Sequence, residues 1–102
     1  MNHEDDRRQL MSMPYKDGEI KIIVTKKSCE LGNHYHKIKT ENFYLLGGSG
    51  TITRNGKKHA MTKGDSYKVY PDQAHSFNLE KNSILFCICS HPYNKEDDYE
   101  AT

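Results

Sequence analysis

No stretch of this sequence stays apolar for long. The longest run, Ile84-Leu85-Phe86-Cys87-Ile88-Cys89, has six residues, far below the ~20 that a membrane-spanning helix needs. The opening residues, Met1-Asn2-His3-Glu4-Asp5-Asp6-Arg7-Arg8, lead into no apolar segment, so a secretory leader is not expected. An excess of one charge is lacking too. The 15 Lys and Arg stand against 14 Asp and Glu, for a formal net charge of +1, and they are scattered rather than clustered. Neither a nucleic-acid footprint nor a membrane-surface patch is expected from such a balance. No window carries a helical period of apolar residues. Cysteine is scarce and odd in number, with three in the chain and no Cys-x-x-Cys spacing. That argues against a disulfide framework and for reduced, buried thiols in a cytoplasmic protein. Cys87 and Cys89 fall on one face of the same strand, where parallel side chains do not readily form a disulfide.

What the sequence does have is a series of short β-rich runs separated by turn residues, the pattern of a sandwich or barrel. At 102 residues the chain makes one domain with a modest core, which a homodimer interface would supplement. Residues 1–14 are polar and charged and are expected to form a mobile arm. Residues 15–93 are expected to form the barrel, and 94–102 a frayed tail. Strands are expected over 20–24, 34–39, 41–46, 51–54, 57–61, 66–70, 75–79 and 83–89. Gly32-Asn33 reads as a break, and Gly47-Gly48-Ser49-Gly50 as a tight corner. Asn55-Gly56 supplies both positive-φ positions of a type I′ hairpin turn.

His34 and His36 are two apart, so on a strand their imidazoles project from the same face. Glu41 follows a short link, and an antiparallel return would bring its carboxylate beside them. His75 comes from a distant strand. Three neutral imidazoles and a carboxylate suit a first-row divalent cation with coordination positions left open. The His-x-His pair alone does not establish this, since such pairs often sit on solvated edges.

The spacing around the pair resembles the first cupin motif. His34-Tyr35-His36 is followed by four residues, Glu41, six more residues and Gly48. The second cupin motif is matched by Gly64, with His75 eleven residues later, and by Asp65 and Pro71. The match departs at Ser28, Tyr70, Asp72 and Asn78, all in turn or flanking positions rather than at the four ligands. The resemblance implies an all-β, single-domain, cupin-type jelly-roll β-barrel (a double-stranded β-helix). It also implies one divalent transition metal ion (Mn, Fe, Ni, Co, Zn or Cu) on His34, His36, Glu41 and His75.

A narrower resemblance, over residues 32–46, is to cupins of nucleotide-sugar and surface-polysaccharide synthesis. It implies a small-molecule substrate, a keto or nucleotide sugar, and Lewis-acid isomerase or epimerase chemistry. The same ligands also serve non-haem Fe(II) dioxygenases and non-catalytic sugar-binding or sensor cupins. Tyr67 shares the inward phase of its strand with Val69 and is the candidate proton carrier, although a buried tyrosine is more often a core residue. His59, on the hairpin, reads as a surface residue.

Overall fold

The computed structural model describes residues 2–101. Eleven strands follow in chain order: β1 (Asn2–Glu4), β2 (Arg8–Tyr15), β3 (Gly18–Thr25), β4 (Cys29–Tyr35), β5 (Glu41–Gly47), β6 (Ser49–Arg54), β7 (Lys57–Thr62), β8 (Ser66–Val69), β9 (His75–Leu79), β10 (Ile84–Cys89) and β11 (Tyr99–Glu100). One 3-10 turn, Lys95–Asp97, precedes β11. Among the described residues no helix is long and apolar enough to cross a membrane.

The strands form two antiparallel sheets packed face to face as a jelly roll. One sheet has the order β1-β2-β3-β10-β5-β8 and the other β11-β4-β9-β6-β7. Strand alternation assigns one face of each sheet to the interior. Across the first sheet, Leu10, Ile23, Leu85 and Leu45 stand side by side, and the neighbouring row is Ser12, Lys21, Cys87, Phe43 and Tyr67. The row after that is Pro14, Glu19, Cys89, Glu41 and Val69. Leu31, Phe77 and Ile52 form the matching apolar row of the second sheet. The buried core is therefore aliphatic and aromatic in the middle of the sandwich and turns polar toward the end that carries Glu19 and Glu41.

Four features differ from the sequence-based expectations. Residues 1–14 were expected to be a mobile arm, but 2–4 and 8–15 are strands, and β2 pairs with β3 over its whole length. The pattern of β2 is inverted: Arg8, Leu10 and Ser12 point inward while Met11 and Met13 point out, so it does not read as a core strand. Residues 94–101 were expected to fray. Instead β11 pairs with β4, and the carboxylate of Asp97, itself buried, accepts backbone N–H bonds from Lys37, Ile38 and Lys39.

The strand expected over 34–39 spans Cys29–Tyr35, and Gly32-Asn33 is a bulge within it rather than a break. Both residues have positive φ, 85° and 75°, and the register to β9 shifts there. The bulge turns His34 to stand opposite His75. Finally, β4 and β5 are not an antiparallel pair. They lie in different sheets, so Glu41 reaches the histidines from across the sandwich.

The Asn55-Gly56 turn has φ of 50° and 79°, as a type I′ turn requires. At the 47–50 corner, Gly48 has φ of 84°, and a Cβ there would fall 2.6 Å from Ser83 Cα; this position admits no side chain.

Candidate metal centre

The structure brings His34, His36, Glu41 and His75 together, with one donor atom from each lying within 4.8 Å of the others. His36 Nε2 and His75 Nε2 approach Glu41 Oε1 to 3.1 and 3.2 Å. Neither approach has hydrogen-bond geometry, so these two nitrogens and the oxygen are buried without a hydrogen-bond partner among the described residues. Three convergent, unsatisfied polar atoms in a buried cluster are costly in an empty site. A cation held at about 2.1 Å from nitrogen and oxygen donors would space them about 3–4 Å apart, a range that includes the two approaches to Glu41 Oε1.

The far nitrogens support the same conclusion. His34 Nδ1 lies 3.0 Å from Asp98 Oδ1, His36 Nδ1 lies 2.6 Å from the Asp97 carbonyl oxygen, and His75 Nδ1 lies 3.1 Å from the Gln73 carbonyl oxygen. An N–H donated at Nδ1 of His36 and of His75 leaves their Nε2 atoms with a free lone pair for the ion.

Glu41 divides its two oxygens. Oε1 faces the imidazoles, while Oε2 takes the Lys21 ammonium at 3.3 Å and the Cys87 and Cys89 thiols at 3.7 Å each. Burial alone would raise the Glu41 pKa. Protonated on Nε2, His36 and His75 would with Lys21 outweigh it and hold the carboxyl well below its usual range; with an ion on those nitrogens, the cation would take over that role. Burial opposes the charge of Lys21 as well, and Glu41 reverses that effect and raises it. Burial and the neighbouring His75 push His34 down to about 4, against the pull of Asp98. Burial pushes the Cys87 thiol up, and the hydrogen bond with Cys89 adds to this. Glu41 is thus an anionic donor at every ordinary pH.

Sequence reasoning had offered Tyr67 as the proton carrier, and the structure does not bring it to the cluster. It points inward as expected, but it sits at the opposite seam of the sandwich, where its hydroxyl donates to the Ala60 carbonyl oxygen at 3.2 Å. His59 packs its ring near Tyr67 and is exposed. Sequence reasoning missed Glu19, Lys21, Lys39, Asp97 and Asp98. For Glu19 and Lys21 a signal existed: residues 19, 21, 23 and 25 share one phase, and Ile23 and Thr25 are buried.

Cys87 and Cys89 lie with their sulfurs 3.5 Å apart, and both are free, as is Cys29. Thiol titration of the denatured, unreduced protein is expected to count three thiols. A count of one would show a disulfide.

The cluster opens through His34 and His36 into a cavity of about 580 Å³ between the inner face of β2–β3 and that of β4. Arg8, Glu19, Lys21 and Lys39 line it.

Comparison with known proteins agrees with this geometry. The cupin-domain family model matches residues 17–91. Quercetin 2,3-dioxygenase of Bacillus subtilis is 29% identical over 68 residues, which is 65% of this chain and 20% of that protein. Among solved structures, the capsular polysaccharide assembling protein CapF of Staphylococcus aureus superposes with a TM-score of 0.85 at 19% identity, over 99% of this chain and 34% of that one. KdgF of a Halomonas species superposes with a TM-score of 0.81 at 15% identity, over 94% of this chain and 90% of that one. The chain thus spans a fifth of the length of the dioxygenase and a third of CapF, and the structural likenesses, at such identities, speak for the fold alone. With the family model covering most of the chain, this protein belongs to the cupin family.

Proposed function

We propose that the protein is a metal-dependent isomerase or epimerase acting on a small keto sugar. The observation that carries this reading is the polar cavity onto which the four-residue cluster opens. It holds a second carboxylate, Glu19, which is 8% exposed and whose Oε1 has no hydrogen-bond partner among the described residues. When bound, a divalent ion would supply Lewis acidity toward a substrate carbonyl.

His34, His36, Glu41 and His75 would hold the ion, and Glu19 takes the role that sequence reasoning gave Tyr67. Its carboxylate removes the proton on the carbon next to the carbonyl. The C–H electron pair passes into the substrate as an enediolate; Glu19 returns the proton to the former carbonyl carbon, and the hydroxyl proton of the neighbouring carbon passes to the former carbonyl oxygen, leaving the new carbonyl. Lys21 and Lys39 surround the developing negative charge with positive charge. A water-poor cavity strengthens each of these interactions.

The test is deuterium exchange in D2O, followed by NMR on metal-loaded protein with a panel of ketoses and keto sugar acids. Wild type should label the carbon beside the carbonyl, and Glu19→Gln should slow labelling by about 10²–10⁴-fold with metal content unchanged. Labelling at the wild-type rate in Glu19→Gln would remove Glu19 from the chemistry.

A second reading, a cupin dioxygenase, is favoured by the sequence similarity to quercetin 2,3-dioxygenase. The charged lining of Arg8, Glu19, Lys21 and Lys39 suits a small polar molecule better than a flat aromatic one. Oxygen uptake without deuterium exchange would establish the second reading. Binding with neither would leave a sugar-binding or sensor module.

The outer face of the six-stranded sheet supports a homodimer. Met11, Ile22, Phe86 and Tyr44 stand in one row across it, and Met13, Ile20 and Ile88 in the next. Met13 is 51% exposed and Met11 39%. A contiguous apolar patch of this kind marks an interface. Sedimentation should show twice the 11.8 kDa chain mass, and Phe86→Lys should yield monomers. A wild-type monomer would end the dimer proposal.

A further inference from the structure

The charges that line the cavity do not all have partners. Lys21 is committed to Glu41 at 3.3 Å, and Asp98 to His34 at 3.0 Å. The Asp97 carboxylate is taken up by three backbone N–H groups. Lys39 stands apart from these. It is 4% exposed and lines the cavity. Its backbone N–H is held by Asp97, while its ammonium makes no ion pair or hydrogen bond among the described residues. Glu19, on the other wall, is likewise unpaired on Oε1.

The stem of Lys39 is buried while its ammonium keeps access to the cavity, where it is free to meet an incoming counter-charge. The chain fixes Lys39 firmly. Asp97 pins the backbone of residues 37–39 and, through its carbonyl oxygen, also orients His36. Lys39 is thus presented beside the metal centre on a loop that cannot swing away. Its charge is felt by both Glu41 and Cys89, which places it at the metal end of the cavity. Arg8 also lines the cavity, but it stands opposite Thr25 in the register. At about 3.3 Å per residue along β3, Thr25 lies about 20 Å from Glu19. Arg8 therefore cannot serve an anion that touches the metal end.

We infer that Lys39 is the anion anchor of the substrate site, and that the cavity takes a small polyhydroxylated anion whose carboxylate or phosphate pairs with the Lys39 ammonium while its oxygens face His34 and His36. This deepens the isomerase reading by naming the substrate class, and it rests on that reading only for the orientation toward the histidines. The anion contact itself needs no turnover.

The test is calorimetric titration of the full-length protein, both metal-loaded and chelator-stripped, with gluconate, glucose 6-phosphate and glucose. At least one of the two anions should bind ten-fold or more tightly than neutral glucose, and which one it is tells carboxylate from phosphate. Lys39→Met should abolish that preference, Lys39→Arg should keep part of it, and the metal content of both should match wild type. The ammonium makes no ion pair within the protein, so its removal should leave the melting temperature near that of wild type. Lys39→Gln serves if the methionine variant does not fold. Equal binding of glucose and both anions, or an anion preference that survives Lys39→Met, would overturn the inference. The two readings fail separately. Anion binding without deuterium exchange on any sugar removes the isomerase alone. Exchange on keto sugar acids that Lys39→Met leaves unchanged removes the anchor alone.

Discussion

His75→Ala is expected to lower divalent-metal occupancy, measured by elemental analysis after dialysis, from near one ion per chain to near none. His75 is almost wholly buried, and its Nε2 faces Glu41 Oε1 with no other partner. Removing one of four donors leaves an incomplete shell. His34→Ala should lose metal as well. Full occupancy in either variant would end the four-ligand proposal.

The same site makes a statement about pH. Protons compete with the ion at the imidazoles, whose ordinary pKa is ~6.5. His34 is held down to about 4 by burial and by His75. A folded pKa below the unfolded one means that the unfolded chain takes up this proton first as pH falls. Stability of the metal-free protein should therefore decline from ~6.5 down to about 4 and rise with pH across that window. The metal-loaded protein should lose more over the same range, because protonation also releases a ligand that stabilises the folded form. Melting curves that coincide for loaded and stripped protein from pH 8 to 4 would mean that the histidines hold no ion.

The way the site is built explains what could be read in advance. Strands β5 and β9 were legible because their buried and exposed residues alternate strictly between turn signals. The cluster of His34, His36, Glu41 and His75 was legible because cupin spacing is carried by local sequence, even though the picture of a hairpin return between His36 and Glu41 was wrong. A short link between two strands does not reveal whether they pair or cross between sheets, and only the sheet order decides it.

Strand β2 was missed because it lines a polar cavity and exposes its methionines. Its pattern is therefore the reverse of a core strand. The role of residues 94–100 was missed for another reason. The bonds that Asp97 makes to residues 36–39 span about sixty positions, and no periodicity in an acidic tail announces them. Tyr67 was read as inward-facing, and its row is the neighbour of that of Glu41, but it stands on the edge strand β8 with its hydroxyl on the Ala60 carbonyl oxygen; alternation gives the face and not the strand's place in the sheet.

That tail carries the second large effect. Asp97→Ala is expected to destabilise the fold and weaken metal binding together, although Asp97 does not face the ion. Its carboxylate accepts from Lys37 N at 2.8 Å, Ile38 N at 3.2 Å and Lys39 N at 3.3 Å. Alanine would leave these N–H groups without their acceptor, and an unpaired buried donor costs about 1–3 kcal/mol. With part of the loop relaxing toward water, a loss of about 2 kcal/mol is expected, or roughly 8–16 °C in melting temperature for a domain of this size.

Slackening this loop also frees the Asp97 carbonyl oxygen from His36 Nδ1, which it holds at 2.6 Å. Loss of such an outer partner of a metal histidine typically costs ~10–100-fold in affinity. Asp97→Asn keeps one carbonyl oxygen as acceptor and should recover part of both effects. Burial would raise the Asp97 carboxyl pKa, but the three backbone N–H groups outweigh it and hold it below the usual range. Its contribution is therefore full above the unfolded value of ~3.9 and drains away as pH falls through the lower folded value. Measured without metal, the deficit of Asp97→Ala against wild type should accordingly be constant from pH 8 to 5 and shrink only in strong acid. A purely local role would lower the melting temperature and leave metal affinity unchanged, and that result would detach the C-terminal segment from the site.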